Sequence, residues 1–339
     1  MSIRAALESR LLTLWHTVPS ATARLLRPLE RVFIALARRR RKRQSCAARA
    51  MPVPVIVVGN ITVGGTGKTP LVIALARLLS EHGLRVGVVS RGHGGRVRTP
   101  HAVTAHGDAR GCGDEALLLA MRVDGPVWVG RDRAQAATAL LAATPVDVIL
   151  ADDGLQHYRL ARTMEICVLD AARWFGNGHC LPLGPLRELP QRLSEVDYVV
   201  ANGDAPAPPG VIVHGSMRLQ PATWRRVVDD VPVPVGEPAA GERVHAVAGI
   251  GNPQRFFMTL RMLGLDPIEH PFADHHHFRA QDLQFGDGLR VVMTEKDAVK
   301  CRRLAAPGWL ALGVEAQLPR TLAEAVLRHV ASHIPRPIP

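Results

Sequence analysis

Residues 55–79, VIVVGNITVGGTGKTPLVIALARLL, carry an apolar run into a glycine-rich turn and then into a helical pattern. Within the turn, Gly64, Gly65, Thr66, Gly67, Lys68 and Thr69 match the end of the phosphate-binding pattern G-x-x-x-x-G-K-[ST]. Such a loop points successive N–H groups at phosphate oxygens, and the N-terminus of the following helix adds partial positive charge. Lys68 would reach the outer phosphates of a nucleotide, and the Thr69 hydroxyl would ligate magnesium. Pro70 suits a first helical turn, where its missing N–H would be unbonded anyway. One position departs from the pattern: Thr62 stands where the first glycine is expected. Threonine can serve there if its φ stays negative and the turn falls on Gly64 and Gly65. The bland alternative is a glycine-rich turn with an incidental lysine. A dinucleotide loop fits less well still, because no G-x-G-x-x-G occurs.

Nucleotide-bound magnesium also needs an acid at the end of a neighbouring strand. The segment VDVILADDGLQH supplies Asp152 and Asp153 after an apolar run. Two adjacent carboxylates there are costly without a cation between or beside them. Gln156 and His157 lie just beyond as supporting groups. In SRGHGG, Arg91 follows a strand at the ligand edge and is a phosphate contact. In PLRE, Arg187 and Glu188 are either holders of phosphate and magnesium respectively or a surface salt pair. TEKD, residues 294–297, ends a later strand, so it either reaches the ligand or caps a helix through Thr294. It does not match the guanine-reading N-K-x-D, and ATP fits better than GTP.

Elements that would hold these groups follow from the pattern. Candidate strands are 53–58, 86–90, 127–129, 146–151, 165–169 and 197–201, with helical stretches such as 70–80 and 115–121 between them. This alternation implies βαβ units: an α/β fold with a P-loop-type parallel sheet and helices on both faces. Ligands then bind beyond the carboxyl ends of the strands. Residues 51–203 form this core. Residues 204–243 turn proline- and glycine-rich and read as an irregular connection with strand fragments. Residues 244–339 form a smaller second α/β unit, with strands 244–248, 291–294 and 309–314 and helices 253–263 and 322–333. Asn252 is its plausible N-cap, with Pro253 at the first helical position.

Residues 1–50 are different. They hold twelve Arg or Lys and two Glu, so ten of the net +12 sit in this arm and the body is nearly neutral. Leu25, Leu29, Val32, Phe33 and Leu36 make a helical stripe ahead of the run Arg38–Arg43, and Leu7, Leu11, Leu14 and Trp15 make an earlier one. The uncharged apolar run is far short of the roughly 18 residues a spanning helix needs. An amphipathic basic arm suits an anionic membrane surface. It could alternatively grip nucleic acid or pack on its own domain. No aromatic interleaves the basic run, so nucleic acid is not expected. The five scattered cysteines contain no C-x-x-C pair and suit a reducing compartment.

Taken in order, VGNITVGGTGKTP, SRGHGG, GDEALLLA, ADDGLQH, LPLGPLRE, AGIGNPQRFF, FADHHHF and TEKDAVK resemble the tetraacyldisaccharide 4′-kinases, the lipid A pathway kinases of Gram-negative bacteria. The resemblance runs from about residue 52 to residue 300. The family's loop also lacks the first glycine. One departure is Ala116, where family members commonly carry proline. The resemblance implies transfer of the γ-phosphate of ATP, with Mg²⁺, to the 4′-hydroxyl of a tetraacylated disaccharide 1-phosphate. It implies Asp114 as the catalytic base, with His275 orienting or tuning it and Lys68 on the transferred phosphate, although His276 and His277 blur the choice of histidine. It also implies that the arm holds the protein on the cytoplasmic face of the inner membrane, where its lipid acceptor lies. A partitioning or metal-insertion NTPase is the rival. It would explain the loop and arm but leave Asp114 and DHHHF idle.

Overall fold

The computed structural model describes Trp15 and residues 21–334 apart from 235, with side chains of 21–24 excepted. Leu7, Leu11 and Leu14 of the earlier stripe therefore lie outside the described residues.

In chain order the elements are α1 (Ala21–Cys46), β1 (Val55–Gly59), α2 (Lys68–Glu81), β2 (Val86–Ser90), β3 (His101–Val103), α3 (Ala109–Cys112), α4 (Asp114–Arg122) and β4 (Val127–Val129). Next come α5 (Arg133–Ala143), β5 (Val148–Asp152), β6 (Met164–Asp170), β7 (Tyr198–Asn202), β8 (Gly215–Arg226) and β9 (Arg243–Ala248). The chain ends with α6 (Pro253–Met262), β10 (Asp266–Pro271), β11 (Arg290–Thr294), α7 (Glu295–Cys301), β12 (Leu310–Gln317) and α8 (Arg320–His333).

All twelve strands of the described residues join one sheet in the order β3-β4-β2-β5-β1-β6-β7-β8-β12-β11-β9-β10. From β4 to β8 every neighbour is parallel, and so is every neighbour from β12 to β10. The seam between these halves, β8 against β12, is antiparallel. Two runs of parallel strands are thus fused edge to edge, with β3 antiparallel at one outer edge. Within 204–243, the fragment 215–226 is a full strand of 12 residues, and it makes this seam. Pro221 hid it from a sequence reading. Proline cannot donate to a ladder on both sides. Here it sits where β8 pairs only with β12, opposite Val314 and beside a register shift.

Alternation along β1 sorts the core into two layers, as a period of two residues requires. Ile56 and Val58 face Leu71, Leu75 and Leu79 of α2, and Leu322, Val326 and Val330 of α8. Val55 and Val57 face Ala134, Ala137 and Leu140 of α5. Each fully buried Leu contributes roughly 1.5–3 kcal/mol. The C-terminal helix therefore returns from the second half to stabilise the first.

Helix α1 docks by one face. Phe33 and Ile34 pack on the cluster around Ile61, Leu155 and Leu186. Glu30 is buried and accepts from Cys180 N at 2.7 Å. Leu25, Leu29, Val32 and Leu36 lie on another face and are 78, 54, 56 and 60% exposed. The apolar stripe is thus split: Phe33 holds the helix to the body, and the four aliphatic residues face outward.

Candidate active site

The phosphate loop leaves the carboxyl end of β1 and enters α2 at Lys68. Gly64 and Gly67 have φ of 101° and 95°, the left-handed region where a side chain is strained. Thr62 does not share it, so the turn is carried by glycines further along and threonine is tolerated. Thr62 instead bridges Leu186, and Val63 N donates to Pro185 O at 2.8 Å. These contacts lay the segment LPLGPLRE beside the loop and bring Arg187 to Asp153 at 3.2 Å.

Strand β5 neighbours β1, with Asp152 level with Val58. The Thr69 hydroxyl donates to Asp152 Oδ2 at 3.2 Å. Asp152 is fully buried, and its Oδ1 has no hydrogen-bond partner. Lys68 Nζ lies 3.5 Å from Asp153 Oδ1. Asp153 takes φ 47° as the chain turns out of the strand.

Across the site, α4 begins at Asp114, whose side chain is 4% exposed. His275 Nδ1 lies 3.0 Å from its Oδ2 and 3.1 Å from its Oδ1. The two come from different halves of the sheet. His276 is engaged elsewhere, at 3.1 Å from Asp282, so the geometry pairs His275 and not its neighbour with the aspartate. A cavity of about 470 Å³ opens on the pair, lined also by His106, Arg110, His277 and Lys300.

A model of the tetraacyldisaccharide-1-P 4′-kinase family matches residues 22–331. The chain is 52% identical over 323 residues to the tetraacyldisaccharide 4′-kinase of Pseudomonas putida strain W619, covering 92% of this chain and 93% of that one. It is 50% identical over 316 residues to that of Azotobacter vinelandii, covering 92% and 93%. The chain belongs to the tetraacyldisaccharide 4′-kinase family. A crystal structure of LpxK from Aquifex aeolicus in complex with ATP matches with a TM-score of 0.76 at 26% identity, covering 91% of this chain and 99% of that one. The reading as a partitioning or metal-insertion NTPase is thereby set aside.

The charges of this kinase divide its carboxylates. Burial pushes Asp152 up to about 7, reinforced by Glu115 and Asp153 nearby. Burial also works to raise Asp153, but Lys68, Arg187 and Arg133 outweigh it and hold the group far below the usual range. Asp114 is buried too, yet His275, Lys296 and Lys300 bring it down to about 2. For His275, burial works to lower the pKa, and the bond to Asp114 reverses this to a net rise.

Among the residues expected at the site, Lys68, Thr69, Asp152, Asp153 and Arg187 converge. Arg91 is exposed at the end of β2. Both oxygens of Glu188 are engaged: one accepts from Tyr158 OH and the other from Gln156 Nε2 at 3.0 Å. Gln156 also donates to Asn60 O at 2.8 Å, at the root of the loop. His157 instead supports α5, with Nε2 3.1 Å from Arg133 N.

Other residues at the site carried no signal in sequence. Arg173 Nη2 donates to Gly65 O at 2.7 Å, and its Nη1 to Gly251 O at 3.3 Å. A Cβ on Gly251 would lie 2.7 Å from Gly65 N, so the GIGNP turn of the second half covers the phosphate loop. Asn202 Nδ2 donates to Thr66 O at 3.0 Å, and Arg255 Nη2 to Asn202 Oδ1 at 3.1 Å.

Proposed function

We propose that this kinase moves the γ-phosphate of ATP to the 4′-hydroxyl of a tetraacyldisaccharide 1-phosphate, with Asp114 accepting the hydroxyl proton. The observation that carries the reading is the buried Asp114–His275 pair, which lines a cavity and whose neighbour Asp274 lies against Gly251, the residue packed on Gly65 of the phosphate loop. Phosphoryl transfer relies mainly on positioning and electrostatics. The loop amides of Gly64 to Gly67 hold the phosphate chain, Lys68 neutralises charge on the transferred group, and Arg187 reinforces it. Arg91 stands at the same edge of the sheet and would contact a phosphate there.

The residues present fit magnesium. Asp152 offers an oxygen without a partner, next to the Thr69 hydroxyl, and magnesium prefers a few protein oxygens with water and substrate phosphates. Among the described residues no group of three or more His, Cys, Asp or Glu forms a metal cage. Thr69 and Asp152 would hold the ion, with Asp153 adjacent, and Glu188 only if it leaves Tyr158 and Gln156. When bound, magnesium withdraws electron density from the phosphate oxygens.

The acid–base pair sets a pH dependence. Asp114, Asp274, Lys296 and the His93 ring surround His275. A protonated His275 makes Asp114 a poor acceptor, and a neutral one makes it a better acceptor. Activity should therefore rise with pH through the raised pKa of His275, above the ordinary 6.5. Stability runs the other way: the pair's contribution is complete below 6.5 and is lost as pH rises through the folded-state value. The expected result is an acid limb in kcat above pH 6.5 that His275→Asn abolishes. A limb unchanged in the variant would remove His275 from the reading.

The arm completes the proposal. Among the described residues no helix is long and apolar enough to cross a membrane. Leu25, Leu29, Val32 and Leu36 would lie in the interface on the cytoplasmic face of the inner membrane, with the run from Arg38 to Arg43, apart from Arg41, which pairs with Glu195, on anionic headgroups. Each Lys or Arg near such a surface contributes about 1 kcal/mol. Replacing the four aliphatic residues with serine should abolish flotation with phosphatidylglycerol vesicles, and the wild type should float better with these than with phosphatidylcholine alone. Equal recovery in both lipids would eliminate the electrostatic part.

A further inference from the structure

Of the conspicuous motifs, TEKD is the one to which the reaction gives no part. The structure assigns Lys296 the task of positioning the Asp114–His275 pair, a proposal that rests on the reading of that pair given above. Lys296 Nζ lies 2.9 Å from Glu115 Oε1 and 3.2 Å from Asp274 Oδ1. Glu115 follows Asp114 in the chain, and Asp274 precedes His275. One ammonium thus joins the two segments that carry the pair, one from each half of the sheet.

Helix α7 presents this lysine from a fixed base. Thr294 caps it, with Oγ1 2.7 Å from Asp297 Oδ2. Asp297 is fully buried and also accepts from Gly249 N at 2.9 Å. The segment that Lys296 holds needs holding. His275 has φ 59°, a strained conformation for a side chain, and such strain persists only where the surroundings over-determine it. Asp274 Oδ1 accepts from His275 N at 3.0 Å while it accepts from Lys296, so the same carboxylate oxygen fixes the strained residue and the lysine. The opposite end of the α4–α7 contact has its own clasp: Arg122 Nε donates to Glu295 Oε1 at 2.8 Å and Arg122 Nη2 to Asp230 Oδ1 at 2.7 Å. The two halves therefore stay joined without Lys296, and what that residue adds is local to the pair.

Lys296→Met, Lys296→Arg, Asp274→Asn, Glu295→Gln and Asp114→Asn would be compared by steady-state kinetics over pH, alongside melting curves. A misplacement of about 1 Å can cost about 10²-fold, and Lys296→Met should lower kcat by roughly that factor with the KM for ATP little changed. Lys296→Arg should recover most of the loss. Charge adds a signature that packing alone does not. Removing the lysine takes a positive charge from beside His275 and moves the acid limb to higher pH. Asp274→Asn removes a negative charge and moves it to lower pH. Glu295→Gln should lower the melting temperature and leave the limb in place. A Lys296→Met enzyme with wild-type kcat and limb overturns the proposal, and so does a loss that Glu295→Gln reproduces with no limb moving in any variant. If Lys296→Met does not fold, the limb shift in Asp274→Asn and the kcat of Lys296→Arg decide. Asp114→Asn keeps the two readings apart: full activity there sinks the base assignment, whereas its loss beside an unaffected Lys296→Met sinks only the positioning role.

Discussion

Asp114→Asn lowers kcat by about 10²–10⁴-fold, the contribution of a well-placed general base, and leaves the KM for ATP close to wild type. The substitution keeps the shape of a side chain that is 4% exposed and keeps an oxygen for His275 Nδ1. It removes the charge that holds His275 above its ordinary pKa and that balances Lys296 and Lys300. The chain contacts of α4 remain, because Arg122 and Lys296 grip the helix through Asp230, Glu295 and Glu115. A folded variant with wild-type turnover would place the proton acceptor elsewhere.

Lys68→Ala acts on the other side of the transferred phosphate. Its ammonium is held 3.5 Å from Asp153 at the first turn of α2, at the end of the loop proposed to hold the phosphates. Loss of one fixed electrostatic stabiliser typically costs about 10²–10³-fold in kcat. Here magnesium–ATP affinity should fall as well, since the lysine meets phosphate charge before and during reaction. Folding should survive: Asp153 keeps Arg187 at 3.2 Å, with Arg133 donating to its backbone oxygen. Calorimetric titration with magnesium–ATP, paired with turnover, would check both effects. Unchanged affinity and turnover would mean that the loop does not carry the nucleotide.

Local features of this site were legible in the chain because they are local. The loop from Gly64 to Thr69, the strand-end acids Asp152 and Asp153, and the alternation of strand and helix each depend on neighbours within a few residues. The Asp114–His275 pair was reached through the family resemblance of GDEALLLA and FADHHHF, since the two residues are 161 positions apart. No periodicity reports a contact such as Lys296 with Glu115, or Arg173 with Gly65 and Gly251, between elements that only the finished sheet brings together. Proline misled twice. It masked β8, where Pro221 sits at a one-sided stretch, and β10, whose Pro267 and Pro271 are tolerated because that strand is an edge. Glu188 was legible as a candidate ligand from its place beside Arg187, but its bonds from Tyr158 and Gln156, 30 and 32 positions away, were not. The outward stripe of α1 was visible as a pattern. That Phe33 would leave it to pack on the body was not, because the docking surface is built from Ile61, Leu155 and Leu186.

Position-resolved transfer of radiolabelled γ-phosphate from ATP to purified tetraacyldisaccharide 1-phosphate in mixed micelles tests the account most directly. The wild-type protein should place the label on the 4′ oxygen, and the Lys68→Ala/Asp114→Asn double variant, with a wild-type melting curve, should place none above background. Label at another position, or wild-type transfer by the double variant, would contradict it.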